Sequence, residues 1–242
     1  MADSTGLVLA LALVGVYLFD SASFLCVGEA MVASRGRRLH RIQFGSRFEL
    51  AGRRVWLPNP LTPFHPAFRI DWDLSGRSVN DAVETGKKMR ELLQATGVLR
   101  VLASLCGALA VIVAPAALLL RHEPLFLAAV VACFALAITS VIVLSVKRKA
   151  LGLKVSQVCG LGFVAIVCIP CAANLPRAIA LQRQWTLAAS ELPQLGFAPA
   201  DLPAVHAEIH AALSNAKRVV PEDGPHLAVI EAQLRKLEER RT

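Results

Sequence analysis

Three stretches of roughly twenty residues contain no charged side chain, and no other feature limits this chain as strongly. They run from Val101 to Leu120, from Leu125 to Val146 and from Val155 to Pro176. At about 1.5 Å per residue, each helix would cross a hydrocarbon core of about 30 Å. A fourth apolar run, Leu7 to Gly28, is interrupted by Asp20. The expected fold is therefore an all-α integral membrane protein with four transmembrane helices. Composition agrees. The 242 residues are 55% hydrophobic and 18% charged, against about 45–50% and about 25% in soluble domains.

Charge sets the expected direction. No Lys or Arg precedes Arg35, so the first run lacks the basic start of a cleaved signal. It reads as a retained helix with its N-terminus outside. Segment 34–100 carries 13 Lys/Arg and 6 Asp/Glu, and segment 147–154 carries 4 Lys/Arg and no acid. Basic loops stay in the cytoplasm. Four crossings then place both termini on the extracytoplasmic side. The net charge of +8 fits these loops, and without clustered stacking aromatics it predicts no nucleic-acid partner. The Ala, Arg and Leu bias suggests a GC-rich bacterium, hence a bacterial inner membrane.

The expected divisions are a first transmembrane helix (1–33), a cytoplasmic loop (34–100), three further helices (101–181) and an extracytoplasmic tail (182–242). Within the loop, Arg47–Leu50 and Arg54–Leu57 flank Ala51-Gly52-Arg53, which predicts a β-hairpin. Four prolines in Pro58–Pro66 make an extended segment that suits a packed loop or a partner-docking strap. An amphipathic helix is expected from Ser78 towards the second span. The tail predicts two helices, about Asp201–Val219 and Pro225–Arg240, turning at Pro221–Gly224. Their apolar stripes suit a helical hairpin or another subunit.

Few residues promise chemistry. Cys168-Ile169-Pro170-Cys171 has the spacing of a dithiol–disulfide pair. In span number and in this motif the chain resembles four-span membrane thiol oxidoreductases that pass electrons to quinone. That resemblance implies a redox role for Cys168 and Cys171. The second cysteine pair of such enzymes has no counterpart in the outer segments here. The plainer reading is two small residues packing helices. Asp20 is an acid at membrane depth, which suggests a proton or ion site, or an acid that fixes helix packing. His206 and His210 share a helix face at the i, i+4 spacing of a metal pair, or form a solvated face. The sequence names no cofactor. The expected function is a non-catalytic membrane subunit that scaffolds or assembles a larger complex. Its partners would be membrane lipid and other membrane subunits. A quinone-linked thiol oxidoreductase (Cys168, Cys171) and a small proton-coupled transporter or channel (Asp20) are the alternatives.

Overall fold

The computed structural model describes residues 2–239 apart from 27, 47, 60, 61, 63, 73–80 and 220–224. The chain forms two compact units that interleave along the sequence. Unit one comprises Met1–Ala22, Leu57–Pro66 and Gln94–Ile179. Unit two comprises Ser23–Trp56, Ala67–Leu93 and Ala180–Thr242.

Unit two corrects the all-α expectation, because it contains two β-sheets. Helix α1 (Ala2–Ser21) stops before the first apolar run ends, and Ser23–Leu25 becomes strand β1. Strands β2 (Glu29–Arg35) and β3 (Arg38–Gln43) pair antiparallel, with Gly36 at φ 64° in their two-residue turn. Strands β4 (Glu49–Leu50) and β5 (Arg53–Trp56) form the expected hairpin. Ala51 and Gly52 turn it with φ 52° and 73°, the left-handed pair that matches strand twist. Arg47 and part of the proline segment (Pro60, Leu61, Pro63) lie outside the described residues.

Strand β6 (Ala67–Trp72) lies beside β2, with the register Val32↔Phe68. Helix α2 (Ala82–Ala95) is the amphipathic helix; Ser78–Asn80 lie outside the described residues. It buries Met89, Leu92 and Leu93. Gly86 lies so close to the Leu195 carbonyl that any Cβ would collide with it.

Unit one holds the long helices. Helix α3 (Gly97–Ala108) continues through a π-helical turn (Leu109–Val113) into α4 (Ala114–Leu119). Helix α5 (Glu123–Val146) follows after Arg121 and His122, whose ring caps it by accepting the Leu125 N–H at 3.2 Å. Both the 97–119 stretch and α5 are long and apolar enough to cross a membrane. In α5 the protein buries only 28% of the most apolar window. Leu127, Val131, Ile142 and Val146 all face outward. A helix at the centre of a soluble domain would bury such residues; their exposure suits contact with lipid.

The fourth span is the main departure among the helices. Helix α6 (Val155–Val167) ends at Cys168, which is extended at φ −120°, ψ 91°. Two short helices follow, α7 (Ile169–Ala172) and α8 (Leu175–Leu181). Pro170 at the start of α7 has no N–H to continue the α6 ladder. Thirteen residues rise about 20 Å, short of a full crossing. Within α1 the apolar part is Gly6–Ser21, also a shorter apolar helix. Among the described residues two helices, the 97–119 stretch and α5, thus have the length and composition of a span, and four are not confirmed.

The tail also differs from two helices alone. Strand β7 (Trp185–Leu187) runs parallel to β6, with Ile70 opposite Trp185 and Trp72 opposite Leu187. A 3-10 helix (Ala189–Leu195) leads to α9 (Leu202–Val219) and α10 (Pro225–Glu239). The expected turn Pro221–Gly224 and Arg240 lie outside the described residues. The two helices bury Val205, Ile209, Leu213, Ile230 and Leu237, so their apolar stripes are spent within the unit. The four-strand sheet, ordered β3-β2-β6-β7, joins segment 34–100 to segment 182–242. Strands that share backbone hydrogen bonds share one aqueous compartment. Segments 34–100 and 182–242 thus contribute strands to one sheet.

Candidate functional site

The polar groups of unit one gather at the C-terminal end of α1. Asp20 lies in its last turn, not at the middle of a span, because the helix ends at Ser21. Asn174, between α7 and α8, donates from Nδ2 to Asp20 Oδ2 at 2.7 Å. The same amide group lies 2.9 Å from Ser21 Oγ, and Ser21 Oγ donates to the Tyr17 carbonyl at 2.7 Å. Arg177, one turn further on, donates from Nη1 to Asn174 Oδ1 at 3.3 Å and is 2% exposed. An acid, an amide, a hydroxyl and a buried guanidinium thus form one knot. A charge removed from water needs such a partner.

The sulfur atoms of unit one gather elsewhere. Cys168 and Cys171 are joined as a disulfide with Cα atoms 5.3 Å apart. The extended backbone at Cys168 and the helical turn of α7 bring them together. Cys106 on α3 donates weakly to the Ile169 carbonyl at 3.7 Å, so its thiol abuts the loop between the half-cystines. Cys133 on α5 lies beside it, with its thiol 3.9 Å from the Cys106 carbonyl. Both thiols are buried, with Ala110, Ala137, Ala165 and Ala172 around them. An apolar cavity of about 100 Å³ adjoins this group, lined among others by Leu9, Leu13, Phe126, Cys133 and Pro170. The remaining cysteines, Cys26 and Cys159, are exposed and apart.

His206 and His210 lie in unit two, on α9. Together with Pro203, Leu237 and Glu238 they line a cavity of about 280 Å³ between α9 and α10. His210 Nε2 is 3.7 Å from Glu238 Oε1. No group of three or more His, Cys, Asp or Glu able to hold a metal ion occurs among the described residues. At the other edge of α9, His40 Nδ1 is 3.0 Å from Asp201 Oδ2 and Arg41 is 3.6 Å from Glu208. These contacts tie β3 to α9. They use the charges of α9 for docking.

The sequence singles out Asp20, with Tyr17 and Ser21 beside it, and the pair Cys168 and Cys171, but not the groups that other segments bring to them. Asn174 and Arg177 escape that reading, although two polar residues one turn apart beside an apolar run are a visible signal. The pairing of Cys106 with Cys133 had no local signal, since 26 residues and a turn separate them. The molecule so described is a two-unit chain whose helical unit has two helices long and apolar enough to cross a membrane and whose other unit combines helices with two sheets. No known protein family, curated protein or solved structure matches it.

Proposed function

We propose that this chain is a non-catalytic subunit of a bacterial inner-membrane complex, anchored by unit one and presenting unit two to partners in the cytoplasm. The observation that carries the reading is the outer face of the three-strand sheet, ordered β1-β5-β4. Phe48 and Leu50 on its hairpin are 64% and 53% exposed, and Phe24 is exposed beside them on β1. An apolar patch outside the spanning helices, next to Arg53 and Arg54, suits a protein partner. The contacts of Asp20 favour a packing role over a transport site, because its carboxylate is held by an amide that also holds a buried cation.

The topology belongs to the same proposal. Helix α1, the 97–119 stretch and α5 supply three crossings. The pair α6 with α7–α8 enters the bilayer and returns to the side it came from. The basic segments 34–100 and 147–154 place that side in the cytoplasm, and the tail with it. The test is a photo-crosslinking amino acid at position 48 in cells. A discrete adduct with one other polypeptide, lost when Leu50→Asp is added, is the expected result. A protein that purifies as a lone monomer and gives no adduct would overturn the subunit reading.

A further inference from the structure

We propose that unit one contains a dithiol–disulfide exchange centre formed by Cys106, Cys133, Cys168 and Cys171. A single cysteine in an apolar helix is a small packing residue. Two buried thiols packed in one cluster beside a disulfide are a different arrangement. Thiol–disulfide exchange needs an attacking sulfur near a disulfide, a second thiol to resolve the mixed intermediate, and room for sulfur to move. Unit one has all three. Cys106 abuts the carbonyl of Ile169, the residue that follows one half-cystine and precedes the other by two positions. Cys133 packs in the same buried cluster as Cys106, with its thiol 3.9 Å from the Cys106 carbonyl, and lines the apolar cavity beside Pro170, which leaves space for sulfur to shift.

The step balances within the chain. Cys106 sulfur attacks one sulfur of the Cys168–Cys171 bond and forms a mixed disulfide, and its proton passes to the sulfur that leaves. Cys133 sulfur then attacks Cys106, closes a Cys106–Cys133 disulfide and gives its proton to the second released sulfur. One S–S bond breaks and one forms. Cys106 and Cys133 are oxidised by two electrons, and Cys168 and Cys171 are reduced by two. The reverse step is equally balanced. The centre goes beyond the subunit reading and does not depend on it.

The experiment uses the full-length protein in nanodiscs with the exposed cysteines removed (Cys26→Ser, Cys159→Ser). On this background Cys171→Ser leaves Cys168 without its partner. After mild oxidation with diamide, alkylation and peptide mass spectrometry map every linkage. The expected result is a Cys106–Cys168 cross-link and the loss of most Cys106 alkylation. Cys168→Ser is the second variant and is expected to capture Cys171 in the same way. In the chain that retains all four cysteines, partial reduction should yield a Cys106–Cys133 disulfide alongside Cys168–Cys171. Elution as a single folded species on size-exclusion chromatography qualifies each variant for scoring. Finding only the Cys168–Cys171 linkage in the four-cysteine chain, with Cys106 and Cys133 fully alkylated in both serine variants, would overturn the proposal and leave the disulfide a staple of the helix break.

Discussion

At the scale of single residues, the molecule spends its polar groups in pairs, and two of these give clear tests. Asn174 serves Asp20, Ser21 and Arg177 at once. Interhelical hydrogen bonds in membranes contribute roughly 0.6 kcal/mol each, so Asn174→Ala should cost about 2 kcal/mol. Asp20→Asn keeps an oxygen facing the amide and should cost less than half as much. Thermal unfolding in detergent measures both, and equal losses would show that the carboxylate, not the amide, organises the knot. The second test lies in unit two. Asp71 on β6 sits directly opposite Glu29 on β2. Burial, then the Glu29 charge, raise the Asp71 carboxyl above its ordinary value, while Arg69 pulls it down. A raised carboxyl disfavours the charged form in the folded state. The penalty is full above the folded value, shrinks as pH falls through it, and vanishes below the unfolded value. Asp71→Asn should therefore stabilise unit two at pH 7 by about 0.5 kcal/mol, the scale of a like-charged cross-strand pair. Urea titrations at pH 7 and pH 3 check the sign: the gain should be absent at pH 3.

Elements show what was legible and what was not. The β4–β5 hairpin could be read because its signal is local: Ala51-Gly52 between alternating strands. The helices α5, α9 and α10 could be read from apolar runs and stripes for the same reason. The end of α1 could not. Ser23–Leu25 is apolar enough to continue a span, yet its backbone pairs with Arg54–Trp56, some thirty residues away. The same holds for β7, whose partner lies more than a hundred residues earlier. In segment 155–176 the prolines Pro170 and Pro176 are a legible signal for a kink or an end, and α6 does end just before Pro170. The extended backbone at Cys168 and the Asn174 contacts that complete the break have no local signal. The packing of α6 gives a prediction at this scale. A Cβ on Gly162 would lie 3.1 Å from Val141 Cγ1, so α6 approaches α5 through a residue without a side chain. Gly162→Leu should separate them and cost about 1–3 kcal/mol, whereas Gly160→Leu, with nothing within 4 Å, should be neutral. Thermal unfolding in detergent separates the two, and equal shifts would mean that α6 does not depend on close approach.

For the whole molecule, the governing constraint is parity. Strands β6 and β7 belong to one sheet, so the chain leaves that sheet's compartment after β6 and returns to it before β7. The number of complete crossings between them must be even. The apolar runs between them number three, and in the topology proposed above α3–α4 and α5 account for two crossings. Unit one shows how the third run complies. The Gly6 end of α1 meets Leu118 at the end of α4, so Ser21 lies towards the end where α3 begins. Lys147, just after α5, donates to the Ala95 carbonyl just before α3, so α5 ends there too. Helix α6 starts from that end, and Asn174 is hydrogen-bonded to Ser21 near that same end. These contacts support the proposed course, in which the run goes in and comes back with the Cys168–Cys171 break at its turn. The prediction follows from these contacts and not from charge. Single cysteines are placed in cysteine-free protein at Arg53 in the hairpin, at Lys149 in the basic loop and at Glu239 in the tail. All three should react with an impermeant maleimide from one side of the membrane. A cysteine at His122, in the turn between α4 and α5, should react only from the other side. Labelling of positions 53 and 239 from opposite sides would break the parity argument, because both belong to unit two, the compact unit that holds β6 and β7.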